Sequence, residues 1–261
     1  MGKPRAMSSE QARQVRQAGH NDAKEFAKLI GLPNDYQNDA KAKKDVIDLS
    51  GDAHSVKSGK KKWQIFLYSH RRFDKDIIFK RLNGLGQLFL DCLDVFPDSF
   101  EEYQSNKAKY KNLLSPKMLV LKEKLENKDT LEAFFDKSFF NAGEVQYLTI
   151  KNENEFYVFH RDDVLNILRT KIKVVNSKKR QAGQFDNQKV VFKVINSDNT
   201  KFITIGEIEM RNDSPVHYRE IKFWMRKDLT FNLLKNNIES YKKVKDKLYI
   251  FGKAIKKFKK Y

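Results

Sequence analysis

Cysteine and long apolar runs are scarce in this sequence. Its one cysteine, Cys92, excludes an intramolecular disulfide and a zinc site built from cysteines. No stretch approaches the roughly 20 consecutive apolar residues of a transmembrane helix, and the opening residues MGKPRAMSSEQARQ contain no hydrophobic signal core. We therefore expect a soluble, cytoplasmic protein without a membrane partner.

Negative charge is also in short supply. The 261 residues include 52 Lys and Arg but only 34 Asp and Glu, which gives a formal net charge of +18. An excess of this size exceeds what solubility requires and indicates a polyanionic partner, with nucleic acid the first candidate. Apolar residues make up 40% of the chain and aromatic residues 12%, which is enough to build a buried core.

The apolar periodicity changes along the chain. Residues 8–31 have helical spacing, and residues 45–57 alternate like two short strands around a Ser-Gly-Asp turn. Residues 74–140 again have helical spacing. From residue 143 the segments VQYLTI, FYVFH, KIKVV, KVVFKVI and FITIGEIEM alternate like strands, and RDDVLNILR between them has helical spacing. The pattern predicts a mixed α/β (α+β) fold.

Two consecutive regions are the simplest division of these elements. Residues 1–140 hold the hairpin and the helical segments, whereas residues 141–261 are rich in predicted strands. No low-complexity linker separates the two regions, so one continuous domain is the alternative. Lysines and aromatic residues are interspersed in residues 242–261, and we interpret this stretch as a basic amphipathic helix.

The hairpin carries a candidate catalytic site. Side chains two positions apart on a strand share a face, so Ser55 and Lys57 would lie together while Val56 points into the core. Asp45 on the neighbouring strand would hold a divalent metal, and Lys57 would orient or deprotonate an attacking water. Such parts suit hydrolysis of a phosphodiester. The alternative without catalytic function is a solvated hairpin with a polar outer face.

The stretches KAKKDVIDL and HSVKSGKKKWQIF resemble the active-site hairpin of the PD-(D/E)XK nuclease superfamily, specifically the type II restriction endonucleases of the MspI-like branch. The resemblance implies a nuclease core with a mixed central β-sheet flanked by helices, and Mg²⁺ as cofactor. It matches Asp45 to the first acid, Ser55 to the variable ligand position and Lys57 to the catalytic lysine. Ser55 departs from the usual acid, and a hydroxyl is a weaker magnesium ligand than a carboxylate.

Two further stretches extend the resemblance. GHNDAKEFAKLI is similar to the opening helix of the family, where Asp22 and Glu25 would be the candidate metal ligands, or else two surface acids. IGEIEMRNDSPVHYREIKFWM is similar to a strand, loop and strand that carry arginines toward DNA. The fork of Arg211 or Arg219 suits guanine in the major groove, whereas the alternative is a polar hairpin loop.

Basic and amide side chains elsewhere in the chain are candidates for further DNA contacts. They follow the catalytic hairpin, occupy the HRR and NSKKRQAG segments, and fill the loop between the last two matched strands. The predicted DNA-binding residues are Lys60, Lys61, Lys62, Gln64, Arg71, Arg72, Lys178, Lys179, Arg180, Gln181, Gln184, Arg211, Asn212, Asp213, Ser214, His217, Tyr218 and Arg219. The alternative for such charge runs is a solvated surface.

Taken together, these features predict a sequence-specific, magnesium-dependent endonuclease that hydrolyses double-stranded DNA, with a β-rich C-terminal part that recognises the site. The alternatives are a basic nucleic-acid-binding protein without catalytic activity and a structure-selective repair nuclease. The sequence leaves open whether the protein is a monomer or a homodimer. It also leaves open the recognition sequence, the cleavage position and the number of metal ions.

Overall fold

The computed structural model describes residues 9–39, 42–59, 61–196 and 200–258. These residues form ten helices and eleven strands, so the mixed α+β prediction is confirmed. The helices are α1 (Ser9–Leu29), α2 (His70–Lys75), α3 (Ile77–Arg81), α4 (Leu85–Leu93), α5 (Phe100–Ser105), α6 (Lys107–Glu126), α7 (Lys128–Phe140), α8 (Arg161–Lys171), α9 (Lys227–Asn237) and α10 (Ala254–Lys257). The strands are β1 (Val46–Ile47), β2 (Ala53–Lys57), β3 (Lys62–Ser69), β4 (Tyr147–Asn152), β5 (Glu155–His160), β6 (Lys173–Asn176), β7 (Lys189–Ile195), β8 (Phe202–Arg211), β9 (Glu220–Arg226), β10 (Tyr241–Lys245) and β11 (Leu248–Phe251).

The chain divides into two units, each assembled from separate stretches. Unit 1 contains Met1–Lys61, Phe139–Val164 and Leu234–Tyr261, and unit 2 contains Lys62–Ser138 and Leu165–Leu233. This division differs from the consecutive regions 1–140 and 141–261 expected from the sequence. The reason is long-range strand pairing, because β2 pairs with β4 in unit 1 and β3 pairs with β9 in unit 2. Local periodicity carries no information about such partners.

Unit 1 is built on a mixed six-stranded sheet in the order β1-β2-β4-β5-β11-β10. Strand β2 runs parallel to β4, and β5 runs parallel to β11, whereas the other neighbours are antiparallel. One face of the sheet is covered by α1, whose buried residues Ala23, Phe26 and Ala27 recur at helical spacing, with buried Ile30 directly after the helix. This spacing explains why the segment was recognisable as a helix from sequence.

Unit 2 is built on an antiparallel five-stranded sheet in the order β3-β9-β8-β7-β6. Its core is aromatic: the ring centroid of Phe66 lies 5.6 Å from that of Phe223 and 6.0 to 6.3 Å from those of Phe79 and Phe134. These edge-to-face contacts join strands β3 and β9 to helices α3 and α7. Cys92 is also buried in this unit, and burial raises the pKa of its thiol to about 12.

Most segments predicted from periodicity form the expected elements, including helices within residues 74–140 and the strands that follow residue 143. The basic amphipathic helix predicted for residues 242–261 is wrong, because the described part of that stretch forms most of β10, then β11 and the four-residue α10. Leu248 and Phe251 are buried in a strand that pairs with β5, so burial on both faces hides the period of two. None of the helices in the described ranges has the length and apolar character needed to cross a bilayer.

Two helical glycines, Gly86 in unit 2 and Gly19 in unit 1, provide a test of local helix packing. A Cβ on Gly86 would lie 2.6 Å from the carbonyl oxygen of Phe79, whereas a Cβ on Gly19 in α1 would have no heavy atom within 4 Å. We expect Gly86→Ala to lower the free energy of unfolding by about 1–3 kcal/mol through overpacking. Gly19→Ala should raise it by up to about 1 kcal/mol because alanine favours a helix. Urea unfolding measures both, and equal effects of the two variants would contradict the close packing of α4 on α3.

Candidate functional site

The β1–β2 hairpin is shaped by its own turn residues. The carboxylate Oδ1 of Asp48 accepts hydrogen bonds from Ser50 N at 2.8 Å and Asp52 N at 3.0 Å. Gly51 has a φ of 84°, a left-handed conformation that glycine adopts without strain. The turn sets the register in which Val46 lies opposite His54. The predicted hairpin is therefore confirmed, with its turn where the sequence placed it.

Asp45 and Lys57 meet on this hairpin. The Oδ2 atom of Asp45 accepts a hydrogen bond from Val56 N at 2.8 Å and lies 3.8 Å from Lys57 Nζ. The side chain of Asp45 is 28% exposed and that of Lys57 is 21% exposed, so both are accessible to solvent. Ser55 is fully buried, and its Oγ has no hydrogen-bond partner among the described residues. A buried hydroxyl without a partner is costly and indicates a functional contact or a bound water.

The two faces of the sheet separate the predicted site residues. His54 contacts Phe26 of α1, and Val56 packs against the same core, so the even-numbered residues of β2 face α1. Ser55 and Lys57 therefore face the opposite side. On β4, Tyr147 belongs to the core cluster under α1, and Lys151, four residues further along the strand, points the same way.

Asp22 and Glu25 of α1 bind this Lys151. Its Nζ donates to Asp22 Oδ1 at 2.7 Å and to Glu25 Oε2 at 2.6 Å. Partial burial lowers the pKa of Lys151, but the two carboxylates outweigh it and hold the pKa above its usual value. The structure therefore brings Asp22 and Glu25 to Lys151 on the α1 face rather than joining them to Lys57. Sequence reasoning missed Lys151, since it lies 129 residues from Asp22 and no local pattern marks it.

The donors available to a metal ion at the hairpin are few. Within the described ranges, no group of three or more His, Cys, Asp or Glu side chains is close enough together to hold a metal. Asp45 offers one carboxylate, and Ser55 Oγ offers a buried oxygen that lacks a partner. This set fits magnesium, because that ion keeps several waters and often takes only one or two carboxylates from the protein plus substrate phosphate oxygens.

His54 anchors the hairpin from the other side of the sheet. Its ring is fully buried, Nδ1 lies 2.9 Å from Thr149 Oγ1, and Nε2 lies 3.6 Å from Asp48 Oδ2. The imidazole also stacks on Tyr147, with ring centroids 4.7 Å apart. Burial lowers the pKa of His54 and outweighs the opposing influence of Asp48. His54 is therefore a neutral core residue, and it lies on the face of β2 opposite to Ser55 and Lys57.

The lysines after the hairpin lie at the start of β3. Lys60 is outside the described residues, whereas Lys61, Lys62 and Gln64 are exposed. The Nζ of Lys62 lies 3.6 Å from the ring centroid of Trp224. This cation–π contact holds one lysine on the outer face of the unit 2 sheet.

The two arginines of α2, Arg71 and Arg72, are exposed. The guanidinium of Arg72 lies 5.2 Å from the ring centroid of Tyr68 on the preceding strand. Arg71 has no hydrogen bond or ion pair within the described part of the chain, so its charge is open to a phosphate partner.

The loop between β8 and β9, residues 211–219, is called the arginine loop here. Arg211 Nε and Nη2 donate to Asp213 Oδ1 at 2.6 Å and to Oδ2 at 3.0 Å, a bidentate pair that raises the pKa of Arg211. Arg219 binds Asp98, and its Nη2 lies 3.5 Å from Asp94 Oδ1. Both proposed guanine readers are thus neutralised by carboxylates.

The remaining predicted residues of the arginine loop hold its conformation. Asn212 Oδ1 accepts from Arg219 N at 2.9 Å, and Ser214 Oγ accepts from His217 N at 3.2 Å. Tyr218 OH donates to the carbonyl oxygen of Pro97 at 2.7 Å. The side chains of Asn212, Ser214 and Tyr218 therefore form hydrogen bonds within unit 2.

The loop between β6 and β7, residues 177–188, is called the basic loop here. It contains five of the predicted DNA-binding residues, and all five are exposed: Lys178, Lys179, Arg180, Gln181 and Gln184. The two loops therefore differ in whether their cationic side chains form ion pairs within the protein. Those of the arginine loop are paired within the protein, whereas those of the basic loop face solvent.

Comparisons of the chain with protein-family models, with curated proteins and with solved structures found no match. Two features of the site have the strongest physical basis. They are the proximity of Asp45 to Lys57 and the unpartnered hydroxyl of Ser55, which shares a face of β2 with Lys57.

Burial of neutral His54 makes the stability of unit 1 depend on pH. An unfolded histidine titrates near pH 6.5, and the pKa of folded His54 is lower, so below about pH 6.5 the unfolded state binds more protons than the native state. The free energy of unfolding should then decrease by at most about 1.4 kcal/mol per pH unit. Urea unfolding between about pH 7.5 and about pH 5 should show this slope, and His54→Gln should flatten it.

His160 provides the comparison for that experiment. It is also buried, and burial likewise lowers its pKa, so it should add a separate contribution that His160→Gln removes. A His54→Gln variant with the same slope as wild type would contradict a neutral, buried imidazole at this position.

Proposed function

We propose that the protein is a magnesium-dependent endonuclease of double-stranded DNA with a PD-(D/E)XK-type catalytic hairpin, acting as a type II restriction enzyme. One observation carries the proposal: Lys57 Nζ lies 3.8 Å from the Asp45 carboxylate, with the unpartnered Ser55 hydroxyl on the same face of the hairpin. An acid close to a cation, together with an oxygen donor on the same strand face, are the parts that phosphodiester hydrolysis requires.

Each residue has a distinct role in this proposal. Asp45 and Ser55 would hold magnesium, which when bound polarises the phosphoryl oxygen. Lys57 offsets the negative charge that builds up on the phosphoryl group in the transition state and orients the attacking water. Asp45 keeps the lysine near the reacting phosphate through their ion pair. The hydrogen bond from Val56 N fixes the carboxylate in turn.

Asp22 and Glu25 have a different place in the proposal. Both carboxylates bind Lys151, so either would have to exchange this partner before it could hold a metal. Their contacts support a role in joining α1 to β4. Magnesium would then depend on Asp45, Ser55, water and the DNA phosphate for its ligands.

The charge of the chain supports DNA as the substrate. A net charge of +18 attracts a polyanion over long distances and accelerates encounter. Exposed cations at Lys61, Arg71 and Lys178 can contact phosphates without sequence preference. Sequence specificity requires contacts to base edges in addition.

Two substitutions test the catalytic hairpin. We expect Asp45→Asn and Lys57→Met each to reduce cleavage of plasmid DNA by about 100-fold or more, since Asp45 would hold the magnesium and Lys57 offsets the developing charge. DNA affinity should stay within a few-fold of wild type in each case, because these groups contribute little to docking. Cleavage is measured with magnesium and with EDTA, and affinity is measured by gel shift in calcium.

Matched controls separate chemistry from charge. Asp35→Asn and Lys24→Met make the same charge changes at exposed positions of unit 1 and should leave cleavage unchanged. Wild-type activity in the Lys57→Met variant would remove the hairpin from the active site. Retained DNA binding with no metal-dependent cleavage by the wild-type protein would instead favour the non-catalytic binding protein.

A further inference from the structure

Three cations stand in succession in the basic loop without an internal partner. Lys178, Lys179 and Arg180 are exposed. Across the described ranges, none of these side chains forms an ion pair or hydrogen bond with another residue. Their charges are therefore fully available to an external anion, unlike those of Arg211 and Arg219.

The backbone beneath these cations is held in place by hydrogen bonds. Lys179 N donates to Asp186 Oδ1 at 2.8 Å, and Arg180 N donates to Gln184 Oε1 at 3.0 Å. These two hydrogen bonds connect the first half of the loop, which leaves β6, to the second half, which leads into β7. The side chains stay free because the anchoring uses only main-chain donors.

The base of the loop is fastened to β7 and to α6. Ser177 Oγ accepts from Gln188 N at 3.0 Å and Lys189 N at 3.1 Å. Asn187 Nδ2 donates to Ser115 Oγ at 3.3 Å. A loop fixed at this many points loses little conformational entropy when it binds, so its contacts contribute more to affinity and to selectivity.

We propose that the basic loop, rather than the arginine loop, reads the DNA sequence. This inference rests on the proposed function for its substrate, duplex DNA. Arg180 carries the planar fork that matches the two acceptors on guanine, and the Gln181 amide matches the donor and acceptor on adenine. Lys178 and Lys179 contact flanking phosphates as point charges. The arginine loop serves as a structural clasp onto Asp94 and Asp98.

The paired arginines account for this difference between the loops. To reach a base, Arg211 would have to leave a bidentate carboxylate pair, which forfeits two charge-assisted hydrogen bonds. Arg180 is exposed and, among the residues that the structure describes, has no ion pair to give up when it contacts a base. The same interaction with guanine therefore yields more net binding free energy from the basic loop.

Selection from a random duplex library tests the assignment. The full-length protein is incubated with the library in calcium, bound duplexes are sequenced, and wild type defines a motif. Arg180→Ala and Gln181→Ala should each relax one or two positions of that motif, with about 10- to 100-fold lower preference there. Arg211→Ala should leave the motif unchanged. A motif altered by Arg211→Ala and indifferent to both basic-loop variants would overturn the proposal.

A pair of substitutions at Asp186 separates preorganisation from charge. Asp186→Asn and Asp186→Ala both remove one negative charge, but only asparagine keeps an oxygen that can accept from Lys179 N. We expect Asp186→Asn to retain the wild-type motif and Asp186→Ala to weaken it. Equal behaviour of the two variants would show that loop anchoring does not matter and would count against the proposal.

The selection also distinguishes this proposal from the proposed function. Binding in calcium needs no cleavage, so a wild-type motif without magnesium-dependent cleavage would contradict the nuclease and leave the loop assignment intact. Basic-loop variants that weaken binding to every sequence equally would show a phosphate clamp, and base reading by this loop would then be wrong.

Discussion

The parallel pairing of β2 with β4 is the constraint on which the structure of unit 1 depends. It joins residues more than 90 positions apart in the chain, with His54 opposite Tyr147 and Lys57 opposite Ile150. The pairing holds the hairpin against the rest of the six-stranded sheet and buries His54 between Tyr147 and Phe26. The long segment between β2 and β4 therefore contributes mainly to a separate unit with its own sheet and aromatic core.

This arrangement explains how one face of the hairpin can be packed in the core while the other face leaves charged side chains accessible to solvent. One face of β2 is fixed by His54 and Val56 in the core under α1. The other face holds Lys57 beside Asp45, both partly exposed. A binding or catalytic site needs side chains that are accessible to solvent and a backbone that is held in place by packing on the opposite face.

Electrostatic pairing decides which of the many cations remain available. Lys151 is held by two acids, and Arg211 and Arg219 are held by carboxylates of their own unit. Lysines and arginines are abundant in this sequence, so their number alone does not locate a binding surface. The cations of the basic loop differ from Lys151, Arg211 and Arg219 in forming no ion pair with any described residue, and their backbone is fixed by hydrogen bonds.

The sequence by itself determined the features that depend on neighbouring residues. The helical spacing of α1, the turn around Gly51 and the alternation of the later strands follow from local sterics and apolar period, and all three were predictable. The shared face of Ser55 and Lys57 was predictable because a strand places alternate residues on one face, and the hairpin turn brings Asp45 within 3.8 Å of Lys57.

Tertiary structure alone decided the partners. Lys151 binds Asp22 across the fold, Arg219 binds Asp98, and residues 242–251 form strands because Leu248 and its neighbours pair with β5. These contacts join residues about 90 to 130 positions apart. Periodicity reports only which face of an element is apolar, so it cannot specify which distant side chain that face will meet.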